Sequence, residues 1–388
     1  MADGARILDK SGAKPALNVA QLMQKAKKDQ KVGFVRQTRE IVALQRGRPA
    51  LTPYEYYYYG LFDPARAWEK KLEYVGDERS RAIFLLANKL TWWDVAEDKL
   101  LYQAFMEAQG YRLPKLHALA HPERQFNGVP NLRDAAAVRK WLCEAELPLF
   151  GKPVMSSHGI GGVLIESVDA ASGTFTTDAG AAYPVDMLLA EIDEYIRGDG
   201  YIFQQALRPD PAIAHLTGGR VSTLRIIVLL GPDGPQLFEI ICRLPCGENR
   251  VDNFRKAGNL IASVDADTGR LGPVTRGVSV NREVLDRHPD SGMAFADFAF
   301  PRAAEAAKMA LDASTLFPKL HIQSWDIAIC DDGIYAIEMN PGGNFNVAQL
   351  VRNEGALTPK FHEFVRWCAT LNLNGNDKAR KEAVRIVA

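Results

Sequence analysis

The stretch SWDIAICDDGIYAIEMNPGGN, residues 324–344, contains two apolar segments separated by the turn-forming residues Asp331-Asp332-Gly333. Two apolar runs joined by such a short loop predict a β-hairpin. A three-residue loop with glycine in the left-handed position would pair residue 326 with residue 338. The stretch therefore predicts that Asp326 and Glu338 lie side by side on one face of an antiparallel strand pair.

These two carboxylates form the centre of a candidate metal site. Directly opposite side chains on antiparallel strands have Cβ atoms roughly 4.5–5.5 Å apart, and Asn340 shares the face of Glu338 because strand side chains alternate. Carboxylates this close repel each other unless a cation lies between them, and Mg²⁺ prefers oxygen ligands. We expect Asp326, Glu338 and Asn340 to bind Mg²⁺, with Mn²⁺ as the alternative ion. A solvated hairpin edge is the competing interpretation, but the apolar neighbours favour burial.

The composition is that of a globular chain without a dominant charge. The 388 residues include 47 Lys and Arg and 47 Asp and Glu, and 47% are hydrophobic, which is enough for two or three domains. A net charge of zero gives no global attraction to nucleic acid or to an anionic membrane, so anion binding must be local. No run approaches the ~18 apolar residues of a membrane span. We expect no nucleic-acid partner and no membrane span.

The cysteines and the N-terminal residues indicate a cytoplasmic protein. The five cysteines are scattered and lack the paired spacing of a zinc site. Residues 1–30 carry several charges and lack the apolar core of a targeting signal. The charged tail, residues 376–388, has the composition of a helix and is a candidate contact in a homodimer.

The pattern of the sequence changes twice along the chain. Residues 1–110 have helical spacing, residues 111–207 alternate short strands and helices, and residues 208–388 begin with long apolar strands and end in helices. We therefore predict an α+β protein with a helical N-terminal region (1–110), a small subdomain (111–207) and a large subdomain with the metal site (208–388). The tyrosine-rich segment 54–59 is either a helix packed on two sides or an exposed substrate or partner surface.

Three cations lie where they could meet phosphates. Lys99 lies in a predicted helix, Lys152 follows a predicted strand, and Arg225 lies within the apolar strand 223–230. A cation within such a strand requires a partner. For Arg225 that partner is either a structural carboxylate or a transferring phosphoryl group, and the sequence leaves both open.

A glycine-rich loop and a strand end complete the candidate nucleotide site. The loop SSHGIGG, residues 156–162, could present backbone N–H groups to phosphates, although it is neither a Walker A motif nor a GxGxxG fingerprint. The strand YIFQQAL, residues 201–207, ends in polar residues that could meet an adenine edge. His215 precedes the strand of Arg225 and is a candidate base, although a loop histidine is more often simply solvated.

Taken in order, these segments resemble the ATP-grasp superfamily, and within it the sugar-transfer-associated branch related to α-L-glutamate ligases. The resemblance extends from about Tyr54 to about Arg352. It is most specific in residues 324–344, where the family has an Asp followed about twelve residues later by Glu-x-Asn. The resemblance implies an ATP-grasp fold, in which two α+β subdomains clamp ATP, with residues 111–207 as the smaller lid.

The resemblance also implies roles for individual residues. Mg²⁺ would be bound by Asp326, Glu338 and Asn340. ATP would be bound by Lys99, Lys152, Ser156, Gly159, Gly161, Gly162, Gln204, Gln205 and Leu207. Arg225 would face the γ-phosphate, and Arg243, Asp252 and Asn253 would line the acceptor side.

The implied activity is the ATP-dependent joining of a carboxylate to an amine. Members of the superfamily usually activate the acid as an acylphosphate and release ADP, and here the acid would be a small molecule or a cell-envelope sugar precursor. A phosphotransferase without ligation is the alternative within the same fold. A non-catalytic nucleotide-binding protein of a glycan pathway is the alternative from another class.

Overall fold

The computed structural model describes residues 7–8, 18–156, 159–177, 180–247, 249, 252, 258–375, 381 and 385. Its helices are α1 (Val19–Gln30), α2 (Phe34–Arg46), α3 (Pro53–Tyr58), α4 (Trp68–Leu72), α5 (Asp77–Ala87), α6 (Trp93–Glu97), α7 (Lys99–Ala108), α8 (Ala135–Glu144), α9 (Val185–Arg197), α10 (Pro211–Thr217), α11 (Ala303–Ser314), α12 (Phe345–Arg352) and α13 (Pro359–Leu371). Its strands are β1 (Leu116–Ala120), β2 (Asn131–Leu132), β3 (Leu149–Pro153), β4 (Val163–Ile165), β5 (Ser167–Asp169), β6 (Thr174–Thr176), β7 (Ala182–Pro184), β8 (Tyr201–Gln205), β9 (Thr223–Gly231), β10 (Gly234–Leu244), β11 (Leu260–Ser263), β12 (Val274–Arg276), β13 (Glu283–Leu285), β14 (Ile322–Cys330) and β15 (Gly333–Asn340).

The described residues form two compact units. The first unit contains 7–8, 95–208 and 335–337, and the second contains 18–94, 209–334 and the residues from 338 onward. Both units mix helices and sheets, so the chain is an α+β protein with a helical N-terminal region, as the sequence predicted. The units join stretches that are distant in the sequence, and the division at 110 and 207 stays a prediction.

The first unit contains a five-stranded sheet in the order β2-β1-β8-β3-β4. β2 is parallel to β1, and the other neighbours are antiparallel. Phe203 of β8 packs in one core with Val138 of α8 and Leu188 of α9. A smaller three-stranded sheet, β5-β6-β7, belongs to the same unit. This core fixes β8, which carries Gln204 and pairs with β3, the strand that carries Lys152.

The second unit contains a seven-stranded sheet in the order β13-β12-β11-β10-β9-β14-β15. Every residue of β14 is buried. Helix α11 packs on β9, β10 and β14, and its buried face is lined by small residues, namely Ala303, Ala306, Ala307, Ala310, Ala313 and Ser314. Such small side chains allow a helix to approach a sheet closely. The three strands at the centre of the sheet are therefore held rigidly on one side.

The hairpin of β9 and β10 contains an irregularity that matters for the site. The pairs from Gly231 with Gly234 to Val228 with Leu237 follow one register, and from Ile227 with Glu239 the register is shifted by one residue. A β-bulge adds one residue to one strand, so the side chains that follow it exchange faces relative to the partner strand. Beyond the bulge, the residues of β10 that share a face with Arg225 are therefore not those that the register at the turn would give.

The N-terminal helices share a core with the seven-stranded sheet. Tyr56 and Tyr57 of α3 are fully buried and pack in one cluster with Leu44 of α2 and with Ile227 and Ile241 of β9 and β10. The tyrosine-rich segment is thus a packed helix rather than an exposed surface. Residues 18–94 form part of the second unit because the apolar faces of these helices complete its core.

The hairpin of β14 and β15 differs from the prediction in its loop. β14 ends at Cys330 and β15 begins at Gly333, so two residues join the strands instead of three. Gly333 has φ 154°, which is not the left-handed helical value near +57° that the predicted loop requires. The expected loop type is wrong, because glycine continues the strand in an extended conformation that other residues rarely adopt.

The remaining global expectations concern the membrane, the cysteines and the tail. Among the described residues, no helix is both long enough and apolar enough to cross a membrane. None of the five cysteines forms a disulfide in the described part of the chain, and Cys143 alone among them is exposed. The charged tail lies outside the described residues except for positions 381 and 385, and its role in a homodimer stays a prediction.

Candidate functional site

An arginine–carboxylate pair lies at the centre of the second unit's sheet. Arg225 of β9 is the direct pairing partner of Asp326 of β14. Its Nε donates a hydrogen bond to Oδ1 of Asp326 at 2.8 Å, and its terminal nitrogen donates to Oδ2 at 2.7 Å. The side chains are 16% and 6% exposed. The partner that the apolar strand required is therefore a structural carboxylate, held in a bidentate geometry that fixes both groups.

A second arginine extends this pair into a network. A terminal nitrogen of Arg243 lies 3.1 Å from Oδ2 of Asp326 and also donates to the Thr223 hydroxyl. Thr223 in turn donates from its hydroxyl and its backbone N–H to Asp252 Oδ2, at 2.5 and 2.7 Å. Asp252, Thr223, Arg243, Asp326 and Arg225 thus form one continuous chain of polar contacts.

One donor of this network has no hydrogen-bond partner among the described residues. The Nε of Arg243 is buried and lies 3.7 Å from Asp252 Oδ2, too far for a hydrogen bond. A buried unpaired donor costs free energy unless a ligand or water satisfies it. Its location beside Asp252 therefore indicates a position where a ligand oxygen could bind.

The electrostatics of the network depend on Asp326. Burial alone would raise the pKa of Asp326, but the positive charges of Arg225 and Arg243 outweigh burial and hold this pKa well below its usual value. Asp326 therefore stays ionised at any physiological pH. Its charge in turn raises the pKa of Arg225 against the opposing effect of burial, so the ion pair is permanent.

Glu338 and Asn340 bring further oxygen atoms to this network. The Glu338 carboxyl lies close enough to Asp326 to help lower the pKa of Asp326, and the Asn340 amide donates to Glu338 Oε1 at 3.2 Å. Both residues are half-buried. A cation between two such carboxyl groups would relieve their mutual repulsion. The structure thus brings Asp326, Glu338 and Asn340 together, and their binding of Mg²⁺ stays a prediction.

The donor set fits a hard divalent cation. Asp252, Asp326 and Glu338 outnumber Arg225 and Arg243 by one negative charge when all are ionised. Carboxylate and amide oxygens are the ligands that Mg²⁺ prefers. Asp326 Oδ2 contacts both arginines, whereas Oδ1 accepts only from Arg225 Nε, so Oδ1 is the better placed of the two oxygens to bind a cation as well.

The predicted nucleotide lysines lie in the first unit. Lys99 is the first residue of α7, and its ammonium donates to the carbonyl oxygens of Val154 at 3.1 Å and Ser156 at 2.9 Å. This contact ties Lys99 to the start of the glycine-rich loop. Lys152 of β3 is half-buried and pairs with Ile202 of β8. Both lysines are therefore positioned by strand and helix ends rather than by long loops.

The glycine-rich loop connects β3 and β4 and uses glycine for steric reasons. Gly159 and Gly161 have φ values of 71° and 78°, which side chains with a Cβ rarely adopt. A Cβ at Gly161 would lie 2.6 Å from the Pro153 side chain, and the Tyr201 hydroxyl donates to the Gly161 carbonyl at 2.9 Å. Gly162 N–H lies 3.3 Å from the Gly159 carbonyl. The backbone here is tightly packed and positioned.

The predicted adenine hinge lies at the end of β8. Gln204 is buried and pairs with Phe150. The Gln205 side chain accepts a hydrogen bond from the Lys115 backbone at 3.2 Å. Leu207 follows the strand and is half-buried. The hinge is therefore well ordered by local contacts within the first unit.

One predicted residue, His215, stands apart from the network. It is exposed in the last turn of α10, and none of its described contacts joins it to Arg225 or Asp326. The prediction for Asn253 lies outside the described residues. The network also contains Thr223, which the sequence analysis did not single out. Thr223 could have been found because it lies two residues before Arg225 and therefore on the same face of β9.

A separate group, Cys246, His288 and Asp290, has ligand atoms within 4.8 Å of one another. The His288 ring accepts from the Asp290 backbone at 3.3 Å and contacts the Pro245 carbonyl at 3.2 Å. The ring of His121 makes the same pattern of contacts with a following turn and a distant carbonyl. We therefore infer that His288 stabilises a turn through these hydrogen bonds.

A family model described as sugar-transfer associated ATP-grasp matches residues 78–364, which is 287 of the 388 residues. No curated protein matches the chain in sequence.

Several solved structures are similar to the chain at low identity. They include N5-carboxyaminoimidazole ribonucleotide synthetase from Thermus thermophilus (14% identity, TM-score 0.35, 65% of this chain and 47% of that one). D-alanine–D-alanine ligase from Helicobacter pylori has 12% identity and TM-score 0.38, over 67% of this chain and 60% of that one. Biotin carboxylase from Campylobacter jejuni has 11% identity and TM-score 0.42, over 78% and 48%. The chain thus spans less than two thirds of each of these proteins.

Proposed function

The chain belongs to the sugar-transfer-associated ATP-grasp family, and from this premise we propose that it is an ATP-dependent ligase that joins a carboxylate to an amine. The acid would be a small molecule or a cell-envelope sugar precursor, activated as an acylphosphate with release of ADP. The observation that carries the proposal is the network of Asp326, Glu338 and Asn340 with two buried arginines. Such a set combines oxygen ligands for a cation with donors for transferring phosphoryl oxygens.

In this proposal Glu338, Asn340 and one oxygen of Asp326 would hold Mg²⁺, or Mn²⁺ in its place. When bound, the ion would neutralise charge on the phosphates of ATP. Arg225 is oriented by Asp326 through its Nε and one terminal nitrogen, and a guanidinium has five N–H donors. The remaining donors can meet a phosphoryl oxygen without loss of the ion pair, so a structural role and a phosphate-facing role for Arg225 are compatible.

The acceptor acid would bind beside Arg243. The buried Nε of Arg243 lacks a hydrogen-bond partner among the described residues, and Asp252 lies nearby to orient the arginine through Thr223. We assign Arg243, Asp252 and Asn253 to binding of the acid. Arg243 would donate to a carboxylate oxygen and reduce its repulsion from the γ-phosphate.

ATP would be bound by residues of the first unit. We assign this role to Lys99, Lys152, Ser156, Gly159, Gly161, Gly162, Gln204, Gln205 and Leu207. The contact of Lys99 with the Ser156 carbonyl supports a role in positioning the glycine-rich loop. The backbone N–H groups of such a loop can bind phosphate oxygens.

The reaction balances without a further co-reactant. A carboxylate oxygen attacks the γ-phosphorus, and the bond from that phosphorus to the bridging oxygen of ADP breaks. The amine nitrogen then attacks the acyl carbon, the bond to the phosphate oxygen breaks, and the nitrogen loses a proton. His215 is a candidate base for this proton, and its exposure on α10 means that a deprotonated amine from solution is the competing source.

Measurement of ADP release with MgATP and a panel of carboxylates and amines tests the proposal. ADP that appears only when both acid and amine are present, together with an amide product, supports the ligase. ADP with a phosphorylated acceptor and no amide would assign a phosphotransferase instead. Retained ATP binding without turnover would assign the non-catalytic role.

The variant Glu338→Gln tests the metal-binding assignment directly. We expect turnover to be lost, because an amide cannot replace a charged ligand of Mg²⁺, while the circular dichroism spectrum stays unchanged. Asp331→Asn is the matched control, since Asp331 is an exposed acid in the loop of the same hairpin. Near-normal turnover of Glu338→Gln would contradict the assignment.

A further inference from the structure

Helix α2 presents an apolar stripe to solvent. Val35 is 84% exposed, Phe34 41% and Val42 40%. Val35 and Val42 are seven residues apart and therefore lie on the same side of the helix, two turns from each other. This side, the α2 outer face, is lined by Phe34, Val35, Thr38, Arg39, Val42, Ala43 and Arg46.

The opposite side of α2 is anchored. Gln37, Glu40, Ile41 and Leu44 are buried, and Ile41 and Leu44 belong to the core cluster of the second unit. Because the opposite side of α2 is packed in this core, the α2 outer face stays exposed to solvent. An exposed stripe on a well-packed helix usually marks an interaction surface.

The surroundings of the stripe are strongly basic. Residues 18–48 contain eight Lys and Arg but only Asp29 and Glu40 as acids, in a chain whose net charge is zero. Glu40 is already paired with Lys71 and Arg36. Arg39 and Arg46 flank the two valines and form no ion pair with any described residue. Arg39 and Arg46 thus place positive charge directly beside the apolar stripe.

Lysines of α1 lie close to the apolar stripe. The Lys27 ammonium lies 4.4 Å from the centre of the Phe34 ring, and Lys28 and Lys31 are exposed near the end of α1. Helix α1 packs against α2 and α3, so these lysines and the α2 outer face are parts of one surface. They also precede residue 78, where the match to the family begins, so the surface is not part of the matched region.

We propose that the α2 outer face docks on an anionic membrane surface. Aliphatic side chains flanked by Lys and Arg are the composition of helices that lie in the plane of a bilayer interface, and juxtaposed basic residues are attracted by anionic headgroups. Nucleic acid is disfavoured because Phe34, the one aromatic side chain that lines the α2 outer face, is already covered by the Lys27 ammonium and cannot serve as a free stacking platform for bases. A stable protein partner is disfavoured because three apolar side chains are few for an interface of about 800 Å² per partner.

Co-sedimentation of the full chain with lipid vesicles tests the proposal. The vesicles contain phosphatidylcholine alone or phosphatidylcholine with about one third phosphatidylglycerol. We expect the bound fraction to be about tenfold higher with the anionic vesicles at low salt, and to fall at high salt because exposed charges are screened. The double variant Val35→Glu/Val42→Glu should lower binding at least about fivefold, because it places charge in the apolar contact.

Two further variants make the test specific. Val284→Glu is the matched control, since Val284 is 63% exposed on β13 and lies outside the basic region; its binding should equal that of the wild type. Arg39→Gln/Arg46→Gln keeps the apolar stripe and should weaken binding and its salt dependence. Circular dichroism of each variant checks that these exposed substitutions leave the fold intact.

Three results would overturn the proposal. The first is an absence of binding to anionic vesicles, and the second is wild-type binding by Val35→Glu/Val42→Glu. The third is a dimer in solution that Val35→Glu/Val42→Glu converts to a monomer, because the α2 outer face would then be a contact between two copies of the chain.

Discussion

Replacement of Asp326 by Asn should destabilise the fold strongly. The substitution preserves the size of the side chain but removes the charge that holds two largely buried arginines, whose side chains are 16% and 13% exposed. Asp326 accepts from Arg225 at 2.8 and 2.7 Å and lies 3.1 Å from Arg243. Asn keeps only one acceptor oxygen, and its NH₂ group would face a guanidinium donor. The variant therefore leaves positive charge in the sheet without its counter-ion.

The size of this effect follows from the burial of the three side chains. Removal of one partner from a buried ion pair costs about 3–5 kcal/mol, because the remaining charge is left unpaired. We expect the lower end, about 3 kcal/mol, because Glu338 lies close enough to compensate in part. An unfolding entropy of about 2.1 cal/mol/K per residue gives about 0.8 kcal/mol/K for the whole chain, so Tm should fall by about 4 °C.

Urea unfolding followed by circular dichroism measures this loss as a shift of the midpoint. Glu338→Gln is the matched control, since Glu338 belongs to the same network but forms no bidentate pair with an arginine among the described contacts. We expect it to change the free energy of unfolding by less than about 1 kcal/mol. If Asp326→Asn were as stable as Glu338→Gln, the inference that Asp326 anchors both arginines would be refuted.

Two further predictions concern stability away from this network. Glu40→Gln should cost about 3 kcal/mol near neutral pH because it leaves the buried Lys71 unpaired, and Glu40→Gln/Lys71→Met should recover most of this loss. Burial raises the pKa of Glu40, but hydrogen bonds from Lys71 and two other partners lower it more. Because the pKa of Glu40 is lower in the folded than in the unfolded protein, its charge stabilises the fold above the unfolded pKa of about 4.5, and this contribution is lost as the pH falls below that value. In urea unfolding, the difference in free energy of unfolding between wild type and Glu40→Gln should therefore become smaller below about pH 4.5. A difference that does not change with pH would contradict this prediction. Gly161→Ala should lower the free energy of unfolding, measured by thermal unfolding, by about 2 kcal/mol more than Gly110→Ala does. The two glycines have nearly the same φ, but of the two only Gly161 lacks space for a Cβ. Equal losses would show that the packing against Pro153 relaxes.

The ligands of the candidate metal site could be predicted from the sequence because they depend on short-range rules. Asp326 and Glu338 lie on adjacent strands of one hairpin, and alternation of side chains brought Asn340 to the same face. The loop of the hairpin was predicted one residue too long, since Gly333 continues the strand. The contact between the carboxyl groups nevertheless forms.

The contribution of Arg243 could not be derived from alternation alone. The turn of the β9–β10 hairpin pairs Gly231 with Gly234, and in that register residue 243 would face away from Arg225. The bulge at Phe238 shifts the register by one residue and reverses the parity. The bulge leaves no signal in the sequence, because Phe238 is held by packing on Phe345 and Phe361, which are distant in the chain. Family resemblance identified Arg243 where geometry from the sequence could not.

The ion pair of Arg225 and Asp326 limits how the site could hold a cation. Because Oδ2 of Asp326 accepts from both arginines, a cation that took both Asp326 oxygens would have to displace them. A divalent cation bound by Glu338, Asn340 and Oδ1 of Asp326 would leave the contacts of Oδ2 with both arginines in place. Its two positive charges would more than offset the single excess negative charge of the network. Neutralising the two carboxylates should therefore have different effects. Glu338→Gln should lose turnover but keep its stability, because it loses only a ligand of the cation. Asp326→Asn should lose both turnover and stability, because it also loses the counter-ion of the two arginines.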